Sequence, residues 1–214
     1  MMHDLNIFIH VLAGSLGALL GFVPFFTTKG GKRHRQSGRI FLILLAIVIF
    51  TAFNGVLFFR DRPFLTVITF MSSYMGLSGY RALQYKHAGP GRIDLLIVLT
   101  MVGIGASFVW RLQNANVVWA MTTVYYTLGW LGMYLFYDVL RIAGVIRSQK
   151  LWLLEHIVKM SGAFSALFGT AMATVFEAWA PYNQILGYGT DTILLVAGIV
   201  YYFRKGHKQV RTLG

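Results

Sequence analysis

The sequence predicts an all-α, polytopic membrane bundle of seven transmembrane helices, N-terminus outside and C-terminus in the cytoplasm. Three observations carry this expectation. Hydrophobic residues make up 57% of the 214 and charged residues only 12%, about half the charged share of a soluble domain. The apolar residues gather into runs near the roughly 20 residues a bilayer crossing requires. The charge is one-sided, with Lys plus Arg 19 against Asp plus Glu 7, a net +12. A nucleic-acid binder carries such a surplus on a polar body, so this composition excludes that class and a soluble enzyme. The absence of cysteine excludes disulfides and thiolate chemistry.

The spans follow in order. Span one covers 7–28; the residues before it carry Asp4 and no Lys or Arg, unlike a signal peptide. Span two covers 40–59 without a charge, span three 64–80 up to Arg81, and span four 93–110 with Asp94 near its start. Span five covers 117–137. Span six covers 151–178 and holds Glu155, His156 and Lys159 in its first turns. Span seven, 184–203, is interrupted by Asp191, so six spans plus a re-entrant piece is the alternative. Long continuous apolar runs do not fit a β-barrel, whose strands are short and alternating. The 214 residues make one domain.

The basic residues test the count. Lys29, Lys32, Arg33, Arg35 and Arg39 follow span one; Arg81, Lys86 and Arg92 follow span three; Arg141, Arg147 and Lys150 follow span five. Arg204, Lys205, Lys208 and Arg211 form the tail, while the other side holds only Arg60, Arg62 and Arg111. Short cytoplasmic loops carry the excess of Lys and Arg, so the pattern fixes orientation and requires an odd number of spans. It places the chain in a cytoplasmic (inner) membrane with anionic lipid at its basic face.

Helix contact in lipid relies on small residues. His10, Gly14, Gly17 and Gly21 share a face of span one. Glu155, Lys159, Gly162, Ala166, Gly169 and Ala173 share one on span six, and Ser72, Gly76 and Gly79 one on span three. These three spans are expected at the centre of the bundle.

Ionisable residues inside a membrane are costly and mark function. An outer layer contains His10, Asn54, Glu177 and Asp191; an inner layer contains Arg39, Arg81, Asp94, Asp138, Arg141, Glu155, His156 and Lys159. His10 is a ligand, a proton relay with Asp191, or an interhelical hydrogen bond. Glu155 and Lys159, four apart on one helix, are expected to pair. His156 with Met160 forms a His/Met set on one turn, while His10 and His156 stand roughly 15 Å apart along the normal, too far to share a metal. No zinc-hydrolase signature is present. The segment Lys29 to Arg39 lacks P-loop spacing. Its glycines bracket His34 and Arg35, which with Arg81 and His87 form a candidate pocket for an anionic headgroup, carboxylate or quinone.

The early His10, the Lys29-Gly30, His34-Arg35 and Gly38-Arg39 loop, and the late His156-x-x-x-Met160 resemble an uncharacterised family of bacterial predicted membrane proteins. The resemblance covers about half the chain. It implies a multi-pass helical fold and singles out His10, His34, Arg35, His156 and Met160; it implies no reaction. A looser similarity to two-haem cytochrome b proteins lies in histidines near both faces, although His10 has no histidine partner on its side. Three functions remain. The first is a small-molecule or lipid binder, transporter or membrane-complex subunit, alone or as a homo-oligomer, around a polar cytoplasmic-side cavity. The second is a redox protein holding haem b or quinone through His156 with His34 or His10. The third is a metal-dependent intramembrane hydrolase.

Overall fold

The computed structural model describes residues 1–58, 63–112, 121–148, 151–180 and 182–206. Among the described residues the α-helices are seven long ones and one short one: α1 (Met2–Leu20), α2 (Val23–Phe26), α3 (Lys32–Phe58), α4 (Pro63–Tyr85), α5 (Arg92–Leu112), α6 (Met121–Ile142), α7 (Trp152–Val175) and α8 (Tyr182–Tyr201). No strand occurs among the described residues. Phe59, Arg60, Arg62, Lys150, Lys208, Arg211 and the opening residues of span five lie outside the described residues, as do the side chains of His87, Arg111 and Lys205.

Each predicted span holds one long helix, with two local corrections. Span one is divided: α1 ends at Leu20, and Pro24 lies in the first turn of α2, where its missing N–H costs no hydrogen bond. The basic segment is not all loop. The turn Thr28 to Gly31 closes through Gly31 N–H to Thr28 O at 3.0 Å, with Gly30 at φ +75, a conformation that suits glycine. Helix α3 then begins at Lys32, so His34, Arg35 and Arg39 lie on its first turns. At the other end of α6, Gly144 at φ +72 turns the chain and lets Val145 N–H return to Leu140 O at 3.0 Å, a helix stop of the glycine type.

Among the described residues, three segments are long and apolar enough to cross a membrane: Met2–Phe26, Lys32–Phe58 and Arg92–Trp110. At most 28% of their apolar windows is buried within the protein. Phe8, Leu19, Ile43, Phe50, Leu96 and Trp110 are exposed, apolar surface that water would penalise and a bilayer would accept. Helices α4, α6, α7 and α8 carry most of the buried polar groups, with Thr51 of α3 and Asp94 of α5.

Helix α7 is the centre, packed against α8, α4 and α1. Its Phe164 is 1% exposed and meets Phe22 and Phe25 with ring centroids 4.8 and 5.3 Å apart. The glycine stripes work as contact faces. A side chain at Gly17 would meet Leu44 and Leu167, one at Gly76 would meet Leu45, and one at Gly79 would meet Lys159 and Met160. The expectation that span one is central is corrected: only Ala13, Gly17 and Ala18 of α1 are buried, so it covers the bundle with one narrow face. Helix α8 packs along α7, with Gly198 beneath Ile157.

One of the two tightest approaches, at Gly21, sets a prediction. A Cβ at Gly21 would lie 2.6 Å from Phe164 Cδ2 and 2.7 Å from Gly17 O, and forcing atoms into a packed site costs about 1–3 kcal/mol. Gly21→Ala should lower the thermal midpoint of the purified protein, followed by tryptophan fluorescence. Gly55→Ala, with open space around it, should leave the midpoint unchanged or raise it.

Candidate functional site

Four helix ends meet on one side of the bundle: α4 ends at Tyr85, α5 starts at Arg92, α6 ends at Ile142 and α7 starts at Trp152. Each brings a polar face. On α4, Tyr74, Ser78, Arg81 and Tyr85 recur at steps of four, three and four residues, one stripe of a helix. Helix α6 presents Tyr137, Asp138 and Arg141, and α7 presents Glu155 and Lys159.

The stripes interlock as ion pairs. Lys159 Nζ donates to both oxygens of Asp138 at 2.8 Å, and Tyr74 hydroxyl donates to the same carboxylate. Arg141 Nε donates to Glu155 Oε1 at 2.6 Å, and Tyr137 and Tyr85 hydroxyls reach Oε1 and Oε2 at 2.7 Å. Arg81 grips Asp94 with Nε and Nη2 at 2.6 and 2.9 Å. Asp94 also accepts Gly91 N–H at 2.8 Å, where a carboxylate caps the open first turn of α5 and complements its dipole. Lys159 and Glu155 are 4% and 3% exposed. Such burial is tolerable because each charge has an opposite partner and added hydrogen bonds.

The expected pairing of Glu155 with Lys159 along α7 is corrected. Both reach sideways to α6, Glu155 to Arg141 and Lys159 to Asp138, because burial leaves no solvent to screen their opposite neighbours. A small cleft sits among them, lined by Ser78, Tyr85, Asp94, Asp138, Arg141 and Lys159. Its cavity volume is about 10 Å³, room for about one water. Arg141 Nη2 is buried with no hydrogen-bond partner among the described residues.

The remaining predicted residues lie apart from this cluster. His10 Nδ1 is 2.8 Å from Thr51 Oγ1. That hydroxyl donates to Ile47 O at 2.8 Å, so its oxygen accepts from the histidine, an α1–α3 bond. His34 Nδ1 donates to Pro24 O at 3.2 Å, and Lys29 Nζ donates to Pro24 O and Phe25 O at 2.8 and 2.7 Å. These two side chains satisfy carbonyls left open at the end of α2. Burial pushes the Lys29 ammonium below its ordinary value. Arg35 and Arg39 are exposed, and Arg81 is committed to Asp94; the His87 side chain of the expected pocket lies outside the described residues.

His156 Nδ1 donates to Gly79 O at 2.9 Å, while Met160 Sδ packs 3.1 Å from where a Gly79 side chain would begin. The His-x-x-x-Met set therefore clasps α4 at its thinnest point. Asp191 is 9% exposed and lies near Ser165 of α7 and Tyr126 of α6; His10 bonds Thr51 instead. Among the described residues, no group of three or more His, Cys, Asp or Glu is placed to hold a metal.

The tyrosines of the cluster are invisible to a search for charges. The α4 stripe of Tyr74, Ser78, Arg81 and Tyr85 is the one signal that identifies them, a polar face on an apolar helix. No family model matches the chain, and no curated protein or solved structure gives a match.

Breaking one pair isolates its charge. Removing one partner of a buried ion pair costs about 3–5 kcal/mol, so Glu155→Gln should strongly lower the thermal midpoint by stranding Arg141. Tyr85→Phe, which removes one hydrogen bond to a carboxylate, should cost about 1.5–3 kcal/mol. Thermal melts of the three proteins in the same detergent check the ranking.

Proposed function

We propose that this chain is a seven-span protein of the cytoplasmic membrane, N-terminus out, that binds and transports a small polar solute through a cytoplasmic-side site at Asp138 and Lys159. One observation carries the reading. Six charges from four helices form three ion pairs around a cleft, at the bundle end where the basic loops gather. Intramembrane charges that face a bundle interior mark substrate and ion paths. The three apolar segments supply the lipid-facing wall, and α4, α6 and α7, with Asp94 of α5, supply the lining. The alternation of helices brings Arg81, Lys86, Arg92, Arg141 and Arg147 to one side with the α3 basic turn. Exposed Lys32, Arg33, Arg35 and Arg39 then meet anionic headgroups at the cytoplasmic face.

The cleft is closed around about one water. A solute enters by exchanging its own polar groups for those of the ion pairs, so opening accompanies binding. Lys159 presents an ammonium and Asp138 a carboxylate, and a zwitterionic or hydrogen-bonding solute satisfies both.

The chain has no cysteine, so single thiols report accessibility directly. Ser78→Cys, placed in the cleft, should react with the small cationic reagent methanethiosulfonate ethylammonium in inside-out vesicles and not in right-side-out vesicles. Glu177→Cys should show the reverse. A Ser78→Cys that stays inert from the cytoplasmic side sinks the solute site; a Glu177→Cys modified from that side sinks the orientation.

A further inference from the structure

The ion-pair cluster is balanced in charge but not in hydrogen bonds. Both oxygens of Asp94, Asp138 and Glu155 each accept at least one bond. The shortfall is on the donor side. The Arg141 side chain is 5% exposed, and its Nη2 has no partner among the described residues. Its other nitrogens are taken: Nε donates to Glu155 Oε1 at 2.6 Å and Nη1 to Ile146 O at 2.8 Å. Arg141 lines the cleft, whereas Glu155 and Ile146 do not, so Nη2 is the nitrogen left for it. The neighbouring hydroxyls of the lining are committed. Ser78 donates to Tyr74 O, and Tyr85 donates to Glu155 Oε2 at 2.7 Å. Lys159 directs bonds to both oxygens of Asp138, which leaves one of the three N–H groups of an ammonium.

A buried donor without an acceptor is costly. A guanidinium cannot escape that cost by losing its proton, as a lysine can. The cleft therefore demands an acceptor, and its cavity of about 10 Å³ has room for about one oxygen-sized group. A carboxylate oxygen is the acceptor that suits a guanidinium best, because the bond is charge-assisted.

The surroundings favour a negative solute as well. The charges of the three pairs sum to zero, so the cluster itself does not repel an anion. Exposed Lys86, Arg92 and Arg147 stand at the same helix ends. The acidic residues of α4, α5, α6 and α7 are Asp94, Asp138 and Glu155, all buried in pairs. No exposed carboxylate of these helices offsets the cations, and such a field gathers anions. Half-buried Pro90 and Ile142 complete the lining, an apolar wall for a short hydrocarbon body.

We propose that the solute of this cleft is a small carboxylate with a short apolar body, its carboxylate received by Arg141 Nη2. This rests on the solute site proposed above and gives its substrate class. Arg141 keeps its bond to Glu155, since Nη2 is the nitrogen that meets the solute. Lys159 adds its remaining N–H as the cleft opens, and the hydrocarbon end lies against Pro90 and Ile142.

Protection of Ser78→Cys tests this. The full chain in inside-out vesicles is treated with methanethiosulfonate ethylammonium at matched pH and ionic strength. Saturating sodium propionate should slow the modification about tenfold or more, as the fraction of empty sites falls with 1/(1 + [L]/Kd). Propionamide keeps the skeleton and the carbonyl but not the charge. It and n-propylammonium chloride should leave the rate within about twofold, since a neutral acceptor bonds less strongly than a charged one. Arg141→Lys, added to Ser78→Cys, keeps a cation facing Glu155 and removes Nη2, so propionate should no longer protect. Its thermal midpoint shows whether it folds; if it does not, propionate against propionamide decides alone. Equal protection by propionamide or by the chloride salt overturns the carboxylate class, and so does protection that survives in a folded Arg141→Lys. A reactive Ser78→Cys that propionate does not slow leaves the site and overturns its substrate class. An inert Ser78→Cys removes the site and the class together.

Discussion

The pairing of Asp138 with Lys159 is the constraint on which the arrangement depends. Neither charge is tolerable alone between apolar helices, so α6 and α7 are held in the one register that brings them together. Tyr74 adds α4 to the same carboxylate. The second pair, Arg141 with Glu155, fixes the neighbouring turn and recruits Tyr85 and Tyr137. Three helices are thereby locked in rotation, as well as in contact. Apolar packing alone is less discriminating, because lipid tails compete with side chains for the same surface.

The apolar helices solve the complementary problem. Helices α1, α3 and α5 lay one narrow face of small residues or Leu and Phe on the core and turn the rest outward. Apart from Asp94 of α5, which pairs with Arg81, the polar groups here make local bonds: His10 with Thr51, and Lys29 and His34 with the carbonyls that end α2. The conspicuous Lys-Gly…His-Arg segment thus has a structural account for two of its residues, while its arginines remain exposed. The His156 and Met160 set likewise earns its place by packing on Gly79, where α4 and α7 approach most closely.

Much of this was legible in the sequence, for reasons that also mark the limit. The helices were legible because apolar runs of membrane length leave few other options. The charged members of the site, Arg81, Asp138, Glu155 and Lys159, were legible because charge is rare in such runs. Their partners were not. Spacing along α7 pairs Glu155 with Lys159, yet the rotation of α7 against α6 sends each to a different neighbour, and one helix carries no record of that rotation. Tyr74, Tyr85 and Tyr137 resemble any lipid-facing aromatic until the α4 stripe is aligned with α6. The break at Gly21 was hidden because the apolar run continues through it.

A double-mutant cycle on Asp138 and Lys159 tests the central claim most directly. Stability is measured for wild type, Asp138→Asn, Lys159→Met and the double variant in one detergent. If the pair sets the register of α6 and α7, each single change is severe and the double change recovers part of the loss, a coupling of about 2–3 kcal/mol. Losses that add to within about 0.5 kcal/mol would contradict it, leaving the two charges as independent neighbours.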